Sequence, residues 1–294
     1  MMSCAILVFI NSFFLDSIVA SFEVLLTKQN SLSDSTRDFR FVRTDGKTVE
    51  FRPGQFYRFN FDDEQGSFER SYSLCNLENE DGGYISSKNL DLVISIVENG
   101  RTSRLLFDGT PDIKAMVTGP YGRLLVPENL PKRLFLISTS VGMAPYIPML
   151  KQLSTALKEE RLEVHFLYGV RDSTEFIYGD FLESYAAQHP KFHLSTCYSR
   201  EKVSRRNSYE GYVQERLSNL IPDPSTDHYL LCGNPGMVDA VYKQLKEVGC
   251  SVKQIVREKY VFAKNVVKKP AKTLSKDDKD LLAQYTKKYS EKPT

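Results

Sequence analysis

Arg70, Tyr72 and Ser73 lie together in the heptapeptide RSYSLCN, residues 70–76, between two acidic, glycine-containing loops. The stretch reads as a short strand, in which side chains two apart share a face. Arg70 and Tyr72 then share one side, and Ser73 points to the other. A cation and an aromatic plane beside a hydroxyl suit a planar ligand that carries phosphate. An edge strand with a solvated arginine and a half-buried tyrosine fits the same residues.

Further along, several strand ends carry turns free of bulky side chains. RLFLIS leads into TSVGMAPYIP, where Gly142 allows backbone amides to approach a ligand at a helix start. The dinucleotide fingerprint GxGxxG is absent. HYLLC leads into GNPGM, which sets Cys232 at a strand end beside any ligand lying across the sheet edge; a buried cysteine at a Pro-Gly turn is the alternative. FHLSTCY leads into SREKVSRR, with Ser199, Arg200, Arg205 and Arg206, and Arg171 ends the neighbouring strand. Arginine grips phosphate bidentately, so this cluster reads as a site for a nucleotide 2′-phosphate, or as a solvated basic loop. In NGRTSRLLF, Gly100 precedes a helix start that Ser103 is expected to cap while the first amides hold a diphosphate. GPYGRLLV, 119–126, is a glycine-rich turn leading out of the first half of the chain.

The elements that must position these residues change period midway. Residues 17–127 read as short strands rich in Val, Phe and Tyr, separated by turns at TDGK and RPGQ, which predicts an antiparallel barrel. From 128 to 262 apolar strands alternate with helical segments (MLKQLSTALKEE, FIYGDFLESYAAQH, GYVQERLSNL, GMVDAVYKQLKEVG), which predicts βαβ units and a parallel sheet. Right-handed crossovers then gather the strand carboxyl ends on one edge, where ligands bind. Residues 1–16 are apolar but lack a basic leader and are interrupted at Asp16; they read as an extension that neither targets nor spans a membrane. From 263 to 294 the chain is lysine-rich and poor in apolar residues, as a mobile solvated tail is.

The 294 residues carry 39 Lys and Arg against 37 Asp and Glu, too balanced for nucleic-acid binding by field alone. The five cysteines (4, 75, 197, 232 and 250) form no CxxC pair and cluster with no histidine in sequence, which gives no zinc or iron–sulfur signature. Their scatter suits reduced thiols in a reducing, cytoplasmic compartment.

Taken in order, these stretches resemble the ferredoxin/flavodoxin–NADP(+) reductase family of bacterial type. The resemblance runs from Ser17 to Val261. It rests on Arg-x-Tyr-Ser (Arg70, Tyr72, Ser73), Gly-x-x-Ser (Gly100, Ser103), Gly-x-x-Gly (Gly119, Gly122), Gly-x-Ala-Pro (Gly142, Ala144, Pro145), Ser-Arg-Glu (Ser199 to Glu201), Cys-Gly-Asn-Pro (Cys232 to Pro235) and Glu-x-Tyr (Glu258, Tyr260). The family fold is an FAD-binding antiparallel β-barrel followed by a Rossmann-like α/β domain for NADP.

The resemblance implies that Arg70 pairs with a flavin phosphate, Tyr72 stacks on the isoalloxazine ring and Ser73 hydrogen-bonds near its N5. It puts the FAD diphosphate on Gly100 and Ser103, and Tyr260 over the far face of the flavin. Gly142, Pro145, Gly233 and Asn234 line the path of the pyridine dinucleotide, and Arg171, Ser199 and Arg200 hold its 2′-phosphate. Ser73, Cys232 and Glu258 shape the hydride encounter, with no metal. FMN is the alternative to FAD. The implied activity moves electrons between NADP(H) and a separate ferredoxin or flavodoxin, expected to be acidic and to meet Arg101, Arg104 or the lysine tail. The alternatives are the reductase component of an oxygenase and a non-catalytic flavin-binding, redox-sensing subunit. A monomer is expected.

Three departures stand out. The usual Thr-Gly-Thr-Gly turn reads Thr139-Ser140-Val141-Gly142, Tyr212 stands where an arginine follows the glycine at 211, and the chain runs on past Tyr260. Arg205 or Arg206 is expected to replace the missing arginine.

Overall fold

The computed structural model describes residues 20–77, 84–109 and 112–260. The expectations for residues 1–16 and for the lysine-rich segment from 263 lie outside the described residues.

The first half supplies nine elements: β1 (Ala20–Ser31), β2 (Thr36–Arg43), β3 (Val49–Phe51), β4 (Phe56–Asp63), β5 (Gly66–Ser73), β6 (Ile85–Ser87), β7 (Asn89–Ser95), α1 (Arg101–Phe107) and β8 (Lys114–Tyr121). Six of the strands form an antiparallel sheet in the order β5-β4-β8-β1-β2-β7, curled as a half-barrel; β3 and β6 pair separately. The alternation in β4 explains the curl's interior. Tyr57, Phe59 and Phe61 are buried, while Arg58, Asn60 and Asp62 face solvent. They join Phe22, Phe39, Phe41 and Phe51 in an aromatic core.

The second half supplies β9 (Arg133–Thr139), a 3-10 turn (Ser140–Met143), α2 (Tyr146–Lys158), β10 (Glu163–Val170), α3 (Gly179–Gln188), β11 (Phe192–Tyr198), β12 (Ser208–Glu210), α4 (Val213–Asn219), β13 (Asp227–Gly233), α5 (Pro235–Glu247) and β14 (Ile255–Lys259). Its six strands are parallel, in the order β12-β11-β10-β9-β13-β14. Leu150, Leu182 and Tyr185 of α2 and α3 pack in one core, and Val213, Leu217, Val238 and Val241 of α4 and α5 in another. A sheet covered by helices on both sides needs near-continuous apolar strands, and RLFLIS is one. The order reverses between β9 and β13, the topological switch point where such sheets bind ligands. Tyr146 clamps this point, its hydroxyl donating to the carbonyls of Ile137 (3.1 Å) and Leu230 (2.7 Å).

The two-part architecture read from the sequence therefore holds. Its departures are local. FIYGDFLESYAAQH is not one helix: Tyr178 sits in the left-handed region at φ 56°, so α3 starts only at Gly179. The short strands β3, β6 and β12 carry too few residues to show a period.

The halves pack against each other. Cys75, Val93, Leu124 and Val126 share a core with Met149 and Leu150 of α2. The Ser35 hydroxyl also reaches the Glu175 carboxylate, at 2.8 and 3.0 Å.

Candidate active site

Strand β5 places the opening residues. Its register sets Arg70 opposite Phe59 and Tyr72 opposite Tyr57, so Arg70 and Tyr72 share a face as their spacing requires. Both are half-buried. The Arg70 guanidinium lies over the Phe68 ring at 5.2 Å and donates to the Glu69 carbonyl at 2.7 Å. Tyr72 meets Phe59 edge-on at 5.6 Å. Burial pushes its hydroxyl up to about 12.

Ser73 ends β5 and is buried on the opposite side. It meets the last described strand of the chain. Its hydroxyl donates to Glu258 Oε1 at 3.0 Å and accepts from the Tyr260 hydroxyl at 2.8 Å. Glu258 is on β14, whose register brings it beside Cys232 on β13. Tyr260 is anchored by its own backbone N–H to the Gly233 carbonyl, at 2.8 Å. The fully buried Cys232 thiol lies against the Tyr260 hydroxyl. Ser73, Cys232, Glu258 and Tyr260 thus form one cluster, drawn from both halves of the chain.

Burial sets the electrostatics of this cluster. It pushes the Glu258 carboxyl up, and the Ser73 hydrogen bond opposes the shift. It also pushes the Cys232 thiol and the Tyr260 hydroxyl well up. The cluster therefore disfavours added negative charge, and Cys232 stays a neutral thiol rather than a nucleophilic thiolate.

The turns at the switch point are backbone-tight. A Cβ on Gly142 would sit 2.5 Å from the Cys232 carbonyl oxygen, so only glycine fits there. Gly233 adopts φ +128°, and a Cβ there would meet Thr139 Oγ1 at 2.6 Å. Thr139 Oγ1 in turn accepts the Asn234 N–H at 3.0 Å. Asn234 caps α5, its Oδ1 accepting the Gly236 N–H at 2.8 Å and the Met237 N–H at 3.4 Å. Pro145 is buried where α2 begins. Ser140, which replaces a family glycine, adopts φ 48°, the left-handed region that costs a non-glycine residue energy.

Arg171, Ser199 and Arg200 come together at the ends of β10 and β11. The Ser199 N–H donates to the Val170 carbonyl (3.1 Å) and the Arg200 N–H to the Arg171 carbonyl (2.8 Å). Both guanidinium groups are exposed, and neither makes an ion pair among the described residues. Arg205 and Arg206 line a groove with His193 and Arg216 instead, and Tyr212 starts α4 with its side chain exposed. Neither arginine is placed with Ser199 as the missing family arginine would be.

Ser103 is corrected in one respect. Gly100 holds the cap position of α1, and Ser103 lies one turn inside. Its hydroxyl accepts the Val97 N–H at 2.7 Å and fastens the loop to the helix rather than capping it. Arg101 is taken up by Asp63, its Nε lying 2.8 Å from Oδ2, and Arg104 donates to the Asn99 carbonyl at 2.9 Å.

Two contributors were not singled out from sequence. Thr139 locks the β9 and β13 turns together. Thr102 is buried at the start of α1 with its Oγ1 lacking any hydrogen-bond partner. An orphaned buried hydroxyl is costly unless a ligand satisfies it. Its only sequence signal was its place inside Gly-Arg-Thr-Ser. With the Arg70 cation and the half-buried Tyr72 ring on the same half of the chain, it fits a planar, phosphate-bearing group.

A curled antiparallel sheet joined to a doubly wound parallel sheet, with a polar cluster where they meet, defines a two-domain nucleotide-dependent oxidoreductase. Comparison with known families agrees. Residues 23–125 match an oxidoreductase FAD-binding domain, and residues 136–243 an oxidoreductase NAD-binding domain. The chain is 28% identical over 246 residues to ferredoxin–NADP reductase B of Sorangium cellulosum, covering 81% of this chain and 97% of that one. It is 30% identical over 185 residues to NADH-cytochrome b5 reductase 1 of Lodderomyces elongisporus, of which it spans 58%. It is also 26% identical over 245 residues to a toluate 1,2-dioxygenase electron transfer component of Pseudomonas putida, of which it spans 68%. Among solved structures, a ferredoxin–NADP+ reductase from Neisseria gonorrhoeae has the same fold, at TM-score 0.67 and 21% identity over 81% of this chain and 98% of that one. The chain belongs to the ferredoxin–NADP reductase family.

Proposed function

We propose that the protein is an FAD-dependent reductase that exchanges hydride with NADP(H) and passes electrons to a separate ferredoxin or flavodoxin. The observation that carries this reading is the cluster of Ser73, Cys232, Glu258 and Tyr260 at the sheet's switch point.

Arg70, Tyr72, Gly100, Thr102 and Ser103 would hold FAD. When bound, FAD converts between two-electron hydride transfer and one-electron transfer. The protein's part is position and electrostatics. Gly142, Pro145, Gly233 and Asn234 leave a narrow backbone floor for the nicotinamide end of the dinucleotide. Arg171, Ser199 and Arg200 offer two unpaired cations and a hydroxyl to a 2′-phosphate, which favours NADPH over NADH. Glu258 fixes the direction of the Ser73 hydroxyl proton, and Tyr260 fills the space beside it. A neutral Cys232 and a carboxyl poorly disposed to ionise keep charge low where hydride passes.

The carrier is separate, because the chain has no cluster-binding cysteine spacing. The name of the Sorangium relative supports ferredoxin as that carrier. The match to a dioxygenase electron transfer component supports a second reading, the reductase of an oxygenase system. The four described cysteines are free and buried, which fits a reducing, cytoplasmic setting. No helix among the described residues is long and apolar enough to cross a membrane.

Steady-state NADPH oxidation tests the proposal with ferricyanide, a [2Fe–2S] ferredoxin and a flavodoxin as acceptors. Saturable reduction of either protein carrier is expected. Turnover with ferricyanide and with neither carrier would move the assignment to the oxygenase reading. No turnover with any acceptor, from a flavin-loaded protein, would leave a non-catalytic flavoprotein.

A further inference from the structure

A second set of chemically competent side chains lies at the start of β10 and β11. Among the described residues it is the place where three histidine or acidic donors converge: Glu163, His165 and His193, with ligand atoms all within 4.8 Å of one another. His165 and His193 are direct partners across the parallel pair, and Glu163 stands two residues before His165 on the same face. His165 Nε2 lies 2.7 Å from Glu163 Oε1, and His193 Nε2 lies 3.3 Å from the same oxygen.

Two features prepare these groups for a ligand. The first is a four-ring ladder across the sheet. Tyr229, Phe135, His165 and His193 stack on β13, β9, β10 and β11 at centroid spacings of 4.9, 4.8 and 4.8 Å. The ladder fixes the planes of both imidazoles before anything binds. The second is the fate of the nearest cation. Arg133 is the register partner of Glu163, but it is committed to the buried Asp227 by two bonds of 2.8 and 2.7 Å. The Glu163 carboxylate is left to the imidazoles.

We propose that Glu163, His165 and His193 form a binding site for a divalent transition metal, of which Zn2+ is the representative. Two imidazoles and one carboxylate are a common zinc donor set, with ligand bonds of about 2.0–2.2 Å. Tetrahedral geometry at that radius puts ligand atoms roughly 3.3 Å apart, the separation found for His193 and Glu163. The His165 contact needs to open by a few tenths of an ångström. The fourth position opens on a groove of about 950 Å3 lined also by Glu183, Arg205, Arg206 and Arg216, which leaves room for water or an anion. The site lies at the amino end of β10, seven residues and about 23 Å of strand from the end that carries Arg171. It is therefore separate from the cluster proposed for hydride transfer, and Zn2+ there is expected to stabilise the fold without inhibiting turnover.

The experiment uses the full chain in a Cys4→Ser background, stripped with chelator and titrated calorimetrically with Zn2+. One ion per chain at micromolar Kd is expected, with a higher Tm and unchanged NADPH oxidation with ferricyanide. The exposed His193 is replaced by alanine and Glu163 by glutamine. Each is expected to weaken binding at least about tenfold and to abolish the Tm rise, while leaving the metal-free Tm within a few degrees of the parent. No heat and no Tm change at 100-fold molar excess of Zn2+ would overturn the proposal. So would equal affinity in the parent and both variants.

Discussion

Ser73 and Glu258, 185 residues apart, are joined by a 3.0 Å hydrogen bond from the Ser73 hydroxyl to Glu258 Oε1. The bond links the end of β5 in the half-barrel to β14 at the rim of the parallel sheet. Ser73→Ala would leave the Glu258 carboxyl and the Tyr260 hydroxyl each short of a partner. A loss of about 1–2 kcal/mol in stability is expected from urea unfolding. Hydride transfer is expected to slow by about tenfold or more, with little change in NADPH KM. Wild-type turnover in this variant would remove Ser73 from the chemistry.

Glu258 predicts a pH effect of definite sign. Its carboxyl is held above its usual value, chiefly by burial. The folded state then retains a proton that the unfolded chain releases, so this residue's contribution to stability falls as pH rises from the ordinary carboxyl value through the raised one. Glu258→Gln cannot ionise. Compared by denaturant midpoint, the variant is expected to gain on the parent as pH climbs from 4 to 8. A constant difference across that range would contradict the buried-carboxyl assignment.

Ser140 holds a left-handed conformation, φ 48°, at the turn after β9. Relief of that strain by Ser140→Gly is partly offset by the greater freedom of glycine in the unfolded chain. A net gain of up to about 1 kcal/mol is expected, read as a rise in Tm. A fall in Tm would mean that the serine side chain makes a contact worth more than the strain.

Arg200 ends β11 beside Arg171, with its guanidinium exposed and free of ion pairs among the described residues. A charge-assisted contact contributes about 1.5–3 kcal/mol. Arg200→Ala is therefore expected to raise the KM for NADPH by about 10- to 100-fold and to leave that for NADH unchanged. Equal losses for both nucleotides would place the arginine outside any 2′-phosphate site.

Much of this arrangement was legible in the chain. The switch from alternating strands to strand–helix units located both sheets, because period reports burial directly. The spacing of Arg70 and Tyr72 alone gave their shared face. What the sequence could not show was contact between distant residues. Nothing local marks Tyr260 as the partner of Ser73, or His193 as the partner of His165. Ser103 was misplaced as a cap because a serine near a helix start satisfies a cap or an inner back-bond equally well, and only the backbone of Gly100 decides. Tyr178 broke an otherwise good helical pattern through a backbone dihedral that its residue type does not announce.

The central claim is that this chain holds a flavin and accepts hydride from NADPH at the Ser73–Glu258 cluster. The direct test is anaerobic rapid mixing of the purified, FAD-reconstituted protein with NADPH or NADH, followed at the flavin absorption band. Rapid bleaching by NADPH is expected, much slower bleaching by NADH, and slowed bleaching by both in Ser73→Ala. A protein that stays colourless after reconstitution with FAD or FMN, or a yellow one that neither nucleotide bleaches, would contradict the account.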